Sequence, residues 1–339
     1  MDRQLSMQGQ GLMETATPVA PRLSSIARRR QLREKVIAGV ITATAFTGIA
    51  ALVLILVFIA KEALAIFLEA HAREEASLSK MFLPQVVRAG RPAAFVWQPV
   101  SNVPKVSMIP LFIGTLKTTL VSMAVAVPVG VAGALFAAEF APRRLREILK
   151  PTIELLAGIP SVVLGFFALM VMATFLQDTL GFPTRLNAVV AGLALALAIV
   201  PVIFTVSEDA LTAVPRSYRE ASLALGATPW ETAWKVVLPA AAPGILAACV
   251  LGFGRAIGET MIVLMASGNA SIVSWNFTDS VRSMSATIAA EMGEVVVGSP
   301  HYSLLFFIGV QLFLFTFILN MVASTWTKRV LKRLTGGGA

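Results

Sequence analysis

Charged side chains are scarce: Asp, Glu, Lys and Arg make up 14% of 339 residues, where a soluble domain carries roughly a quarter. That scarcity excludes a chain whose main solvent is water. Cysteine is scarcer still, and the single thiol, Cys249, rules out an internal disulfide framework and any redox or metal centre built from cysteines. The two histidines, His71 and His301, stand far apart in connecting stretches and read as loop residues with no ligand role. HExxH, Ser-His-Asp and Cys-His arrangements are all missing, so no catalytic residues and no metal are expected, and a membrane-embedded enzyme has no machinery to work with. "GFGRAIG" at 252–258 is not a dinucleotide fingerprint, because no strand precedes it and the glycine spacing is wrong. Nor is there a repeat of solenoid period.

What is present is apolar, 56% of the residues. Crossing about 30 Å of hydrocarbon at about 1.5 Å per residue takes about 20 apolar residues. Six runs qualify: Val36 to Ala60, Leu111 to Ala138, Leu155 to Leu176, Ala188 to Ser207, Ala242 to Ser267 and Ser303 to Ser324. The fold class is therefore an all-α integral membrane protein with six transmembrane helices. The first run has 25 residues, longer than a signal-peptide core of about 7–15, so it is read as an uncleaved span. Around the spans lie a polar basic tail over 1–35, expected to be mostly disordered with a basic segment beside the membrane, an outer connection over 61–110 with short helices, and a basic tail over 325–339. The five-helix core covers 111–324 and includes a polar loop at 208–240. Pro128, Pro160 and Pro201 fall inside spans, as kinks or as functional breaks.

The formal charge of +9 suggests nucleic acid in a soluble protein, but here the basic residues divide by side. Eighteen of the Lys and Arg residues fall in the tails and in alternate loops, and eight in the opposite connections. Positive residues stay inside, so both termini are expected to be cytoplasmic, and no nucleic-acid partner is expected. The other neighbour is membrane lipid.

Arg255 and Glu259 interrupt the fifth run. A charge at the centre of a membrane helix costs at least about 2.5–3.5 kcal/mol, so both are expected to face protein or a wet cavity. Four residues apart on one helix, they share a face and can pair. That pairing fixes helix packing, or it is exchanged when an oxyanion arrives, because a guanidinium offers a permanently charged planar fork suited to phosphate or carboxylate. Gly244, Ala248, Gly252 and Ala256, with Gly254 and Gly258, form small-residue stripes for close packing. Lys117 with Thr118, early in the second span, is a candidate outer vestibule or a lysine snorkelling to the interface. Glu291 and Glu294 in the last outer loop read as a solvated face.

The loop "YREASLALGATPWETAWKVVLPAAAPG" carries a denser signal. Glu220 to Leu225 predicts a short helix ended by Gly226. A second helix then starts with Thr228 as N-cap, Pro229 at its first position and Glu231 completing a capping box, and it stops at Leu238-Pro239. Glu220, Ala221, Ser222, Gly226, Val236, Leu238 and Pro239 match the coupling-loop signature of bacterial ABC importer permeases, with Ser222 where the pattern has a second alanine. Together with "PLFIGTLKTTL", "EFAPRRLREILKPTIELLAGIPSVVLGFFAL", "GRAIGETM" and "MSATIAAEMGE", it resembles the phosphate importer permeases of the PstC type over about residues 105–333.

The resemblance implies a type I importer permease fold in the bacterial inner membrane, paired with a PstA-like second permease. Two copies of a PstB-like ATPase would bind below, consuming ATP and Mg, and a PstS-like binding protein would deliver phosphate from outside. Arg255 and Glu259 are then substrate-pathway residues. Glu220, Ala221, Ser222, Gly226, Leu238 and Pro239 contact or shape the ATPase joint. This chain would bind no cofactor, in keeping with its lack of a G-x-x-x-x-G-K-[ST] loop. A permease for another oxyanion, such as phosphonate, sulfate or molybdate, is the nearest alternative, and an ion-driven secondary transporter a more distant one.

Overall fold

A computed structural model describes residues 22–68, 77–86, 93–101 and 103–334. His71 and the outermost residues of both tails lie outside that set. Among the described residues the regular structure is helical apart from one short antiparallel strand pair and two isolated bridges, Gln85 with Ala94 and Gly268 with Val281, and six helices are long and apolar enough to cross a membrane. Two compact units divide the chain after Phe58.

The first helix, α1, runs Arg22–Leu68. The disordered tail expected up to residue 35 is thus helical from Arg22, because no proline or glycine interrupts 22–38 and an i,i+4 pair, Arg30 with Glu34 at 3.6 Å, lies on its exposed surface. In the outer connection, α2 is Leu78–Phe82, and β1 (Trp97–Gln98) pairs with β2 (Lys105–Val106), Trp97 facing Val106.

The core begins with α3, Ile109–Leu135, which ends in a π-helical turn, Phe136–Phe140. The amphipathic α4, Arg143–Ala157, stops at Gly158, and Pro160 caps α5, Ser161–Phe167. The third span therefore runs Ser161–Leu180 and does not begin at Leu155, since Pro160 disfavours helical backbone in the residue before it. A π-helical turn, Ala168–Met172, joins α5 to α6, Ala173–Leu180. Next come α7 (Ala188–Thr212), α8 (Arg216–Ala224) and α9 (Pro229–Thr232). A third π-helical turn, Ala233–Val237, leads into α10, Leu238–Gly258. The chain ends with α11 (Met261–Ala266), α12 (Met284–Glu291) and α13 (Pro300–Leu334).

Leu238-Pro239 does not end the second loop helix as expected. A proline clashes with the carbonyl four residues before it. The wider π-helical turn over 233–237 opens the ladder there, so the helix continues into the fifth span, Pro229–Gly258.

The helix α7 is the axis of the core. Its Ala- and Val-rich surface is buried on nearly every side, including Pro201, and α3 and α10 press against it. Lipid offers no hydrophobic drive for helices to associate, so contact depends on close backbone approach through small residues. A side chain added at Gly192 would stand 2.5 Å from Val121 of α3, and one at Gly252 2.9 Å from Ile203 of α7. The stripe Gly244, Ala248, Gly252 and Ala256 is thus the α7-facing side of α10. Gly254 and Gly258 meet nothing.

Candidate functional site

Arg255 stands in the last turn of α10, and Glu259 is the residue at which that helix stops, with extended backbone (φ −68°, ψ 131°). The sequence predicts one continuous span to Ser267 with both charges on one face. Instead the helix breaks at 259–260 and restarts as α11, which takes the Glu259 side chain off the Arg255 stripe. Among the described residues no ion pair joins them. Ser285 Oγ donates to the Glu259 carbonyl at 2.7 Å, which anchors the break to α12. Because the helix begins at Pro229, about 39 Å back at the standard rise, Arg255 lies near its far end and not at mid-helix. It belongs to an exposed stripe with Ala247, Leu251 and Gly258, opposite in character to the buried α7-facing side.

Lys117 and Thr118 do not line an open vestibule in this chain. Lys117 is 4% exposed, and its Nζ donates to the carbonyls of Ser274 (3.1 Å) and Asn276 (2.5 Å), 5.5 Å from the centre of the Phe277 ring. Through those two carbonyls the Lys117 ammonium holds the 267–283 loop onto α3. Thr118 Oγ1 donates to Gly114 and Thr115 carbonyls of its own helix. Gly114 lies against the Arg282 carbonyl, too close to admit a side chain, and the Met284 amide donates to Thr115 Oγ1 at 3.0 Å. The start of α3 is therefore a platform for the loop that follows Glu259.

At the other end of the core, α8 projects Glu220 and Ala221 outward. The helix starts at Arg216, four residues before Glu220. Ser222 turns inward, 9% exposed, and its hydroxyl meets Thr232 Oγ1 at 2.9 Å, Thr232 itself being 3% exposed. The departure from the alanine of the family signature is thus matched by a hydroxyl opposite it. Gly226 has φ +86° with nothing within 4 Å of an added Cβ. The turn needs a left-handed residue, which L side chains adopt only at a cost. Thr228 and Glu231 form the expected capping box.

Two polar clusters escaped the sequence because their members are distant in the chain. Lys150 Nζ of α4 lies 2.8 Å from both Glu208 Oε2 and Asp209 Oδ1 of α7. Hydrogen bonds to Asp209 and Glu208 push the Lys150 amine above the ordinary lysine range. Glu291, read as solvated, is instead largely enclosed. Trp97 Nε1 donates to it at 3.0 Å, Arg282 Nη2 sits at 2.7 Å and His301 Nε2 at 2.8 Å. Burial pushes its carboxyl up, but the His301 hydrogen bond, the Arg282 charge and the Trp97 donor outweigh that and hold it below the usual carboxylate range. Glu294 is exposed as expected. This cluster floors a cavity of about 790 Å³ rimmed by Pro99, Val100 and Val296.

Residues 127–336 match the family model described as binding-protein-dependent transport system inner membrane component. A probable ABC transporter permease protein of Bacillus subtilis, YqgH, is 35% identical over 304 residues, 88% of this chain and 93% of its own length. The phosphate transport system permease protein PstC of Mesorhizobium japonicum is 34% identical, covering 69% of this chain and 76% of that one. For PstC 1 of Mycobacterium tuberculosis the identity is 35%, with 66% and 72% covered. Among solved structures, an inward-facing MetNI methionine ABC transporter chain aligns with TM-score 0.53 at 21% identity, over 66% of this chain and 97% of that one. A subunit of a bacterial alginate ABC importer aligns with TM-score 0.51 at 15% identity, over 65% and 79%. Those two likenesses carry the type I importer permease fold, and with the sequence relatives they identify a transport subunit rather than an enzyme: the chain belongs to the binding-protein-dependent inner membrane permeases of ABC importers, as a PstC-type member.

Proposed function

We propose that this chain is one half of an ATP-driven import path for inorganic phosphate in the bacterial inner membrane, with both termini in the cytoplasm. The observation that carries the proposal is Arg255, a permanent cation in the last turn of a spanning helix, on an exposed stripe and without a carboxylate partner among the described residues. Facing lipid, it would carry the cost of an unpaired charge in hydrocarbon. That stripe is therefore the side covered by a second, PstA-like permease, leaving the guanidinium in a wet path between the two chains. The names of the curated PstC relatives support phosphate as the anion.

A guanidinium binds a phosphate dianion through two parallel N–H···O contacts while the anion's remaining oxygens face water, a hold strong enough to orient and weak enough to release. The helix break at Glu259 leaves a carboxylate beside the path that opposes anion residence there, so passage favours a short stay at Arg255. At the opposite end, α8 seats in a groove of a PstB-like ATPase, two copies per complex. ATP-driven closure there moves the spans as rigid bodies. A PstS-like binding protein delivers phosphate to the outer face.

Proteoliposomes holding the assembled complex, with binding protein outside and ATP inside, test this. Phosphate uptake is expected to require ATP and to collapse in Arg255→Gln with assembly unchanged. Undiminished uptake in that variant sinks the assignment of Arg255, and sulfate or phosphonate moved in place of phosphate sinks the assignment of substrate.

A further inference from the structure

The contact between the α8 helix and the end of α3 runs through one guanidinium that no motif singles out. Arg219 of α8 donates from Nε to both oxygens of Glu139 at 3.1 Å, and from Nη2 to Oε1 at 2.6 Å. Its Nη1 also donates to the Val214 carbonyl at 2.6 Å, and Nη2 to the Leu211 carbonyl at 2.9 Å. The side chains are 21% and 11% exposed, so solvent screens the pair little. One side chain thus ties together α8, the last turn of α7 and the end of α3.

Glu139 sits in the π-helical turn that closes α3. Such turns interrupt the regular ladder and recur where helices flex in function. The carbonyls of this one are taken from outside: Arg146 Nε of α4 donates to Ala137 O at 2.7 Å, and its Nη2 donates to Ala138 O. From there α3 runs as 27 residues of helix, about 40 Å at the standard rise. At its far end Thr115 and Lys117 hold the loop behind Glu259. A push on Glu139 has one helix, unbroken although Pro128 lies inside it, as its route to the neighbourhood of the pathway residues.

We propose that the Arg219–Glu139 contact is the joint that converts displacement of α8 into displacement of α3, so that Glu139 is a coupling residue for transport. The proposal rests on the reading of α8 as the ATPase-docking helix. Removing the Glu139 charge leaves ATP hydrolysis running in the partner but detaches α3 from it.

Two measurements on the reconstituted complex test this. The first is phosphate imported per ATP hydrolysed. In Glu139→Gln it is expected to fall about tenfold, within the usual range for the loss of one coupling interaction, with assembly and ATPase rate kept. Glu139→Asp, which keeps the charge on a shorter stem, is expected to recover part of the ratio. An assembled Glu139→Gln complex with an unchanged ratio overturns the proposal, and so does a variant that loses thermal stability while its surviving complexes stay coupled. The second uses paired spin labels in a Cys249→Ala background, one on α8 at Leu223 and one at Phe136, both exposed. On nucleotide binding their separation is expected to stay constant in the parent chain and to change in Glu139→Gln, whatever anion the complex carries. A separation that behaves identically in both refutes the joint. A parent complex that moves no phosphate, while this distance test succeeds, faults the substrate reading alone.

Discussion

Replacing Ser222 by alanine restores the residue of the family signature, and in this chain it is expected to destabilise. The Ser222 hydroxyl faces Thr232 Oγ1 at 2.9 Å, and the two residues are 9% and 3% exposed. Removing one partner of a buried hydrogen bond leaves the other with its full desolvation penalty, about 1–3 kcal/mol, while replacing both by apolar groups of similar shape is nearly neutral. The two single changes are not equivalent. Ser222→Ala strands the more deeply buried hydroxyl of Thr232 and belongs in the upper half of that range. Thr232→Val leaves Ser222 at the edge of the buried zone, where water can reach it, and is expected to cost about 1 kcal/mol. The double variant Ser222→Ala/Thr232→Val is expected to return close to the parent, so the double-mutant cycle is expected to give an interaction energy of about 3–4 kcal/mol, the sum of the two single costs. Thermal unfolding of the purified complex, the four proteins side by side, measures it. Equal stability of Ser222→Ala and the parent, or a double variant no better than the worse single, refutes the pairing.

Gly226→Val has room for its side chain, so its whole penalty is backbone strain at φ +86°. A left-handed conformation costs an L residue roughly 1–2 kcal/mol, and Asn tolerates it better than Val, so substrate-driven ATP hydrolysis is expected to fall in the order Gly, Asn, Ala, Val. Lys117→Met removes the donor to Ser274 and Asn276. It is expected to lower stability by about 1–3 kcal/mol while leaving the apparent affinity for phosphate unchanged, and a selective loss of affinity would restore Lys117 to the path. Glu291 has a folded pKa held below its ordinary value, so its stabilising effect is complete above the free-carboxylate range near 4.3. That effect is lost as pH falls through the lower folded value. Thermal stability of the parent is expected to decline over that acid interval, and Glu291→Gln is expected to blunt the decline; identical profiles refute the assignment.

Much of this protein is decided by forces that act along the chain. Six apolar runs must be helices because lipid supplies no hydrogen-bond partner for bare backbone. The turn at Gly226 and the Thr228–Glu231 cap follow from local backbone conformation and from amides that a helix start leaves unpaired. Those features were legible from residue order, as was the loop signature itself. The break at Glu259 was not, because the contact that anchors it comes from Ser285 of α12, 26 positions on, and nothing in "GRAIGETM" marks it. Lys117 looked like a residue reaching for water until the 267–283 loop folded over it. Ser222 with Thr232, Arg219 with Glu139 and Trp97 with Glu291 are 10, 80 and 194 positions apart. Local patterning carries no term for such pairs: which charge is satisfied, and by whom, is settled only when helices meet and water is displaced.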